Sequence, residues 1–66
     1  MQMRESDMNE WQPISLAPSD EIVMTKIHDD DGERNVQKLK RQGNLWWTPD
    51  GAMYVYYTPT HWRRDQ

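Results

Sequence analysis

Short turns separate the strand-like segments of this 66-residue chain and leave no room between them for a crossover helix. The motifs Asp29-Asp-Asp-Gly32, Gly43-Asn44 and Thr48-Pro-Asp-Gly51 follow one another with only short segments between them. Parallel strands need connections of roughly a dozen residues or more, whereas antiparallel strands are joined by turns like these. The spacing therefore predicts a small, mainly β domain whose antiparallel sheet has three or four strands.

Two segments have the composition of strands. Residues 21–28 (EIVMTKIH) are rich in β-branched side chains, and residues 52–58 (AMYVYYT) are rich in tyrosine. Both compositions are typical of strands. We expect residues 52–58 to form the central strand of the sheet, with His61-Trp62 as a cap beyond its end.

Residues 33–42 fit either a short helix or a strand. In favour of a helix, an acid stands at the start, bases stand towards the end, and Gly43 can stop it. Only Val36 and Leu39 are apolar, however, and two such residues are too few for a core-facing helix. We prefer a strand that pairs with residues 45–48 across a tight turn at Gly43, and the short helix stays open as the alternative.

The two ends of the chain are expected to lie outside the sheet. Residues 1–9 are polar and predict a flexible tail. The two prolines in residues 11–18 (WQPISLAP) remove backbone donors and favour extended structure, so this segment is expected to form an extended N-terminal arm. With a charged C-terminal tail at residues 64–66, one small domain remains over residues 10–63.

The core of so short a chain must come from a few large side chains. A domain of this size buries only about 60% of the surface of its unfolded chain, and there is no cysteine to form a disulfide. We expect Trp11 and Trp62 to meet and close the core. The predicted core residues are Trp11, Ile14, Ile22, Leu39, Trp47, Val55 and Trp62.

Bulky side chains are expected on both faces of the sheet. Alternation sends Tyr54 and Tyr56 to the face opposite Val55, and it sends Trp46 and Trp47 to different faces. A sheet with one face in water normally alternates apolar with polar residues. One face can hold the core, and the other needs a cover, which is the arm, a second copy of the chain in a homodimer, or a partner.

Charge is unevenly distributed along the chain. Residues 1–33 hold nine acids and two bases, a balance of −7, whereas residues 34–66 hold six bases and two acids, a balance of +4. Either the two halves neutralise each other on folding, or basic groups share a surface with the aromatic residues and suit an acidic partner. The candidate partner-binding residues are Lys38, Arg41, Trp46, Tyr54 and Tyr56.

No motif of a catalytic or metal site is present in the sequence. The aspartates of Asp29-Asp30-Asp31 are contiguous, whereas a calcium loop spaces its carboxylates at alternate positions. The spacing of His28 and His61 indicates no shared metal, and the chain has no nucleophile elbow or phosphate-binding glycine loop. We therefore expect no enzyme activity, no catalytic residues, no metal and no cofactor.

Two motifs near the ends of the chain resemble those of a known family. Trp11-x-Pro13-Ile14-x-x-Ala17-Pro18 and Pro59-Thr60-His61-Trp62 are similar to the opening and closing motifs of a family of short phage, prophage and bacterial proteins of unknown function. The similarity spans residues 10–63. The chain departs from the family at Ser19-Asp20-Glu21, where members commonly have a Lys-Asp-Gly turn, and at residues 63–66, where many have an apolar tail.

The resemblance implies a mobile-element origin and a cytoplasmic accessory role, and it brings no catalytic residues because the family's activity is not established. We expect a non-enzymatic protein that binds a host or phage protein, for example as a stoichiometric inhibitor of host machinery or host defence. The alternative is a nucleic-acid-binding accessory that uses the same basic and aromatic surface. No apolar run approaches the roughly 20 residues of a membrane span, and the polar start carries no export signal. We therefore expect the protein in the cytoplasm of a bacterial host cell.

Overall fold

The computed structural model describes residues 10–65, which form one open antiparallel sheet of five strands. The strands are β1 (Gln12–Pro13), β2 (Ile22–Asp29), β3 (Gly32–Gln42), β4 (Leu45–Trp47) and β5 (His61–Arg64), and a 3₁₀ turn spans Ile14–Leu16. Their order across the sheet is β1-β5-β2-β3-β4, with every neighbouring pair antiparallel. The mainly β class is confirmed, with five strands where the sequence predicts three or four. The expected tail at residues 1–9 lies outside the described part of the chain.

The β2–β3 hairpin forms the centre of the sheet. Val23 lies opposite Leu39, and the ladder runs on to Asp29 opposite Gly32 at the turn. The Asp29 carboxylate accepts hydrogen bonds from the Asp31 amide at 2.9 Å and from the Arg34 guanidinium at 2.9 and 3.1 Å. The strand expected at residues 33–42 is thus confirmed, and the helical alternative is wrong.

The two later turns also form where the sequence predicts them. Gly43 has a φ of 62°, which its missing Cβ allows, and Gln42 consequently pairs with Leu45. In Thr48-Pro-Asp-Gly51 the Gly51 amide donates to the Thr48 carbonyl at 2.8 Å. These turns make β4 the partner of β3 and end it after three residues.

Residues 52–58 do not form the central strand that the sequence predicts. A single bridge from Trp47 to Tyr54, together with a hydrogen bond from the Val55 amide to the Trp46 carbonyl (2.9 Å), holds the start of this segment beside β4. The chain must then pass from β4 at one edge of the sheet to β5, which lies beyond β3 and β2. With strands about 4.8 Å apart this path is roughly 14 Å long. The segment therefore crosses over β3 and β2 and cannot pair with them as a strand.

Thr60 joins the end of this connection to β2 and to the N-terminal arm. The crossing segment (residues 52–60) ends where the Thr60 amide donates to the Lys26 carbonyl at 2.9 Å and the Ile14 amide donates to the Thr60 carbonyl at 3.0 Å. The Thr60 hydroxyl also accepts a hydrogen bond from the His28 amide at 2.8 Å. Because β5 follows directly, the predicted cap and the first residue of the predicted charged tail are strand residues.

The hydrophobic core lies against one face of the sheet. Its buried members are Ala17, Val23, Leu39, Trp46 and Trp62, and Ile14 and Val55 pack against them. Three predicted core residues lie elsewhere, since Ile22 is 38% exposed and Trp11 and Trp47 are half-buried. The core is therefore small, and the two largest side chains in it are indoles.

Trp11 and Trp62 do not close this core together. Gln12 lies directly opposite Trp62 in the β1–β5 ladder, so the neighbouring side chain of Trp11 projects to the other face of the sheet. There the Trp11 ring lies 4.4 Å from Lys26 Nζ, whereas the Trp62 ring is buried in the core. The expectation that the two indoles meet is wrong because Gln12, and not Trp11, lies opposite Trp62 in the ladder. The one-residue offset puts the two indoles on opposite faces of the sheet.

Candidate binding surfaces

The pleat of the sheet divides its side chains between a covered face and an open face. The covered face carries the core side chains of the sheet, which are Val23, Thr25, Leu39, Trp46 and Trp62. The open face carries the side chains that alternate with these, among them Ile22, Met24, Lys38, Lys40, Leu45, Trp47 and Arg63. The two faces differ in what lies over them.

Both irregular parts of the chain lie over the covered face. The arm contributes Ile14 and the buried Ala17, and the crossing segment contributes Val55. The Tyr57 hydroxyl accepts a hydrogen bond from Gln37, which belongs to the covered face of β3. The arm and the crossing segment therefore cover the same face, and within residues 10–65 no connecting segment crosses the other one.

The open face carries apolar side chains that remain exposed. Ile22 is 38% exposed and Leu45 is 40% exposed. Trp47, which lies between Lys40 of β3 and Tyr54, is half-buried. The rings of Trp47 and Tyr54 meet edge to face with centroids 5.2 Å apart, a geometry that aromatic pairs favour. A sheet face in water normally presents polar residues, so this patch is a candidate contact surface.

Lysines lie beside this apolar patch. Lys38 and Lys40 occupy alternate positions of β3, and Lys40 lies directly opposite Trp47. Lys38 Nζ is 3.5 Å from the Asp65 carboxylate, an exposed pair of little strength. Lys40 forms no ion pair with any carboxylate in residues 10–65. The open face thus combines exposed apolar side chains with positive charge.

A buried ammonium group lies at the end of the open face near β1. Lys26 is 6% exposed, donates to the Glu33 carboxylate at 2.5 Å and lies 4.4 Å from the centroid of the Trp11 ring. The Arg63 guanidinium lies 5.1 Å from the same centroid. The hydrogen bond from Lys26 lowers the pKa of Glu33 below its ordinary value. Carboxylate and ring together compensate Lys26 for its lost hydration, and they attach Trp11 to the sheet.

A pocket of about 160 Å³ lies on the covered side, where the arm, the β3–β4 hairpin and the crossing segment meet. Its lining residues are Ile14, Ser15, Arg41, Asn44, Trp46 and Thr58. Arg41 donates to the Ala17 carbonyl at 3.3 Å, a hydrogen bond that brings the arm to β3. The same bond places the guanidinium beside the pocket.

The five predicted partner-binding residues fall into three places. Lys38 and Tyr54 belong to the open face or its edge, whereas Arg41 and Trp46 line the pocket on the opposite side. Trp46 is only 5% exposed and belongs to the core. Tyr56 is 95% exposed and contacts the ring of Tyr57 at a centroid distance of 5.5 Å. The structure does not bring these five residues into one surface.

Lys40, Leu45 and Trp47 belong to the open face but are missing from the predicted set of partner-binding residues. The signal for them was present in the turn at Gly43-Asn44. A two-residue turn sets Lys40 opposite Trp47, so the lysine and that indole must share a face, while the other indole goes to the core side. The position of the turn therefore decides which tryptophan is available to a partner.

The fold and its surfaces define a small open-sheet β protein. Within residues 10–65, no three His, Cys, Asp or Glu side chains come together as a metal site requires, and no helix there is long and apolar enough to cross a membrane. A scan against protein-family models finds no match, and searches of curated proteins and of solved structures find no significant similarity. The resemblance to the phage and prophage family stays a prediction.

Proposed function

We propose that this chain is a non-enzymatic interaction module that binds a partner protein through the open face of its sheet. The observation that carries the proposal is the composition of that face, where exposed Ile22 and Leu45 lie beside Trp47, Tyr54 and Lys40. Lys40 forms no ion pair within residues 10–65. Within residues 10–65, the arm and the crossing segment both lie over the other face. A partner with an apolar centre and an acidic rim is complementary to this surface.

The aliphatic part of the surface favours a protein over a nucleic acid. Exposed Ile22 and Leu45 gain from losing water against another apolar surface, and they offer nothing to a phosphate backbone. The alternative is also supported by one observation, because Trp47 beside Lys38 and Lys40 has the stacking and charge that single-stranded nucleic acid uses. Binding of nucleic acid is therefore the second candidate function.

The biological role in this proposal comes from the resemblance to short phage and prophage proteins. A protein of this kind acts in the cytoplasm of a bacterial cell and binds a host or phage protein in a fixed ratio, for instance to inhibit host machinery or host defence. The exposed apolar side chains of the open face support such a role, since they offer a surface for contact.

Capture from a lysate of the natural host, with paired variants, tests the proposal. Lys40→Glu and Leu45→Ser change the open face, whereas Leu16→Ser and Tyr56→Ala change exposed residues elsewhere. The proposal is supported if one host protein is captured by the wild type and by both control variants but by neither open-face variant. The open-face variants must also keep the melting temperature of the wild type, so that the loss of capture does not reflect unfolding. Equal capture by the Leu45 and Leu16 variants refutes it.

Fluorescence anisotropy with a short single-stranded oligonucleotide separates the two candidates. Binding at low salt that weakens steeply as salt is raised, and that is lost in Lys40→Glu, establishes the nucleic-acid function instead. No binding at low salt removes it.

A further inference from the structure

The pocket beside Arg41 lies on the other side of the sheet from the proposed partner surface and has a chemistry of its own. We propose that it is a carboxylate-binding site that takes the acidic side chain of a peptide. The inference does not rest on the proposed function of the open face, because the two surfaces share no residue.

The charge of Arg41 is the first support. Its guanidinium donates to carbonyl oxygens, at 3.3 Å to Ala17 and at 3.5 Å to Gly43, the second at the limit of a hydrogen bond. Within residues 10–65 it forms no ion pair. In contrast, Arg34 lies 2.9 Å from the carboxylate of Asp29, and Arg64 lies 2.6 Å from that of Glu21. Arg41 is also half-buried, so its charge is less hydrated than theirs. A partly desolvated guanidinium without a counter-ion attracts an anion.

The rest of the lining adds donors and no negative charge. Ser15, Asn44 and Thr58 each place a polar side chain at the rim, and none of these side chains has a hydrogen-bond partner in the described part of the chain. Hydroxyl and amide groups can donate to an anion, and Trp46 and Ile14 form apolar walls. The chain thus places one fixed cation and three donor groups around a cavity lined by no acid.

The size and charge of the site favour a carboxylate over a phosphate. A single guanidinium matches a monoanion and can bind its two oxygens side by side, whereas a phosphate dianion leaves charge unpaired here. The volume of about 160 Å³ is several times what a single water needs, enough for an aspartate or glutamate side chain. The three rim residues are exposed, so the site is open to a side chain presented by another backbone.

An NMR titration tests the site with N-acetyl-aspartate N′-methylamide as the probe and the matching asparagine compound as the neutral control. The acidic probe is expected to shift the Arg41 Nε–H and Trp46 indole resonances in a saturable way. The asparagine compound is expected to leave both unchanged. Equal shifts from the two compounds would overturn the proposal, because binding would then not depend on the carboxylate.

Variants separate a role in binding from a role in folding. Arg41→Gln is expected to lower the affinity for the acidic probe by at least about tenfold, which is the effect of losing a hydrogen bond to a charged group. Since Arg41 also holds the arm through Ala17, Thr58→Val supplies a second test that leaves this contact in place, and it too should weaken the probe. Lys40→Gln on the open face is the control of equal charge change and should bind as the wild type does. Undiminished binding to both Arg41→Gln and Thr58→Val, or a loss in Lys40→Gln as large as in Arg41→Gln, would place the carboxylate elsewhere.

Discussion

Replacing Leu39 with alanine tests whether the core lies where the structure places it. The Leu39 side chain is fully buried, opposite Val23 and in the same cluster as Trp46 and Trp62. The change removes three carbons, which at about 0.8 kcal/mol per buried CH₂ is roughly 2.4 kcal/mol. The space left unfilled brings the usual total to about 2–5 kcal/mol. At roughly 0.05–0.15 kcal/mol per residue, a chain of this length has about 3–10 kcal/mol of stability, so the variant loses a large part of it.

Urea unfolding followed by tryptophan fluorescence measures this loss, because Trp46 and Trp62 report directly on the core. The matched control is Val36→Ala in the same strand, whose side chain is 49% exposed. Its free energy of unfolding is expected to change by no more than about 0.5 kcal/mol, as for other surface positions. The difference between the two variants then reports burial and not the propensity of β3.

Similar losses from Leu39→Ala and Val36→Ala would refute the reasoning. Such a result would mean that the covered face is not sealed by the arm and the crossing segment. A large loss from Val36→Ala alone would place the core around Val36, whose side chain the structure shows as exposed.

Individual contacts lead to three more expectations, all measured as free energies of urea unfolding. Hydrogen bonds from Arg34 and from a backbone amide lower the pKa of Asp29 to about 2 from its ordinary 3.8. Their stabilisation is therefore complete above pH 3.8 and is lost as the pH falls towards 2. Asp29→Asn should flatten that part of the acid profile, and an unaltered profile would show that the pair contributes nothing. Thr60→Val removes the acceptor of the His28 amide and should lower stability by about 1 kcal/mol; no change would mean that water replaces the hydroxyl. Gly43→Ala should lower stability by about 1–2 kcal/mol, because the cost of a positive φ in a residue with a Cβ remains even where the Cβ meets open space. A neutral result would show that the hairpin accepts another turn.

The hairpins could be predicted from the sequence because turn chemistry is local. Glycine at position 43 and the Asp-Gly pairs at positions 31–32 and 50–51 stop one strand and start the next within a few residues. The number of apolar residues in 33–42 was then enough to choose strand over helix. No distant contact was needed for these inferences, and the β2–β3 and β3–β4 ladders confirm them.

The path after the third turn could not be predicted in this way. Residues 52–58 have a strand's composition, yet their conformation depends on where β5 pairs, and β5 pairs with β2 on the far side of β3. That long-range pairing turns a strand-like segment into a connection across the sheet. It also explains why Tyr54 and Tyr56 do not share a face as alternation predicts, since alternation holds only within a strand.

The candidate surfaces were predicted only in part, because a shift of one residue in the β3–β4 register changes which side chains share a face. Trp46 and Trp47 are chemically identical, and the sequence analysis assigned Trp47 to the core and Trp46 to the contact surface, whereas the structure buries Trp46 in the core and leaves Trp47 half-buried on the open face. The pairing of Arg41 with Trp46 and of Lys40 with Trp47 decides between them. Charge and aromatic content indicated that a basic and aromatic surface exists, while the register determines which side chains belong to it.

The composition of the open face also bears on which of its possible covers fits best. A homodimer through this face would be two-fold symmetric, so that each patch would meet its own copy. Lys38 and Lys40 of one copy would then approach the same lysines of the other. Two acids of this face, Glu33 and Asp65, cannot neutralise them across the interface, because they already pair with lysines of their own chain. Like charges brought together cost stability, and an acidic partner removes that cost while still burying Leu45 and Trp47. The charges on the face therefore favour a partner of different sequence over a second copy of the chain.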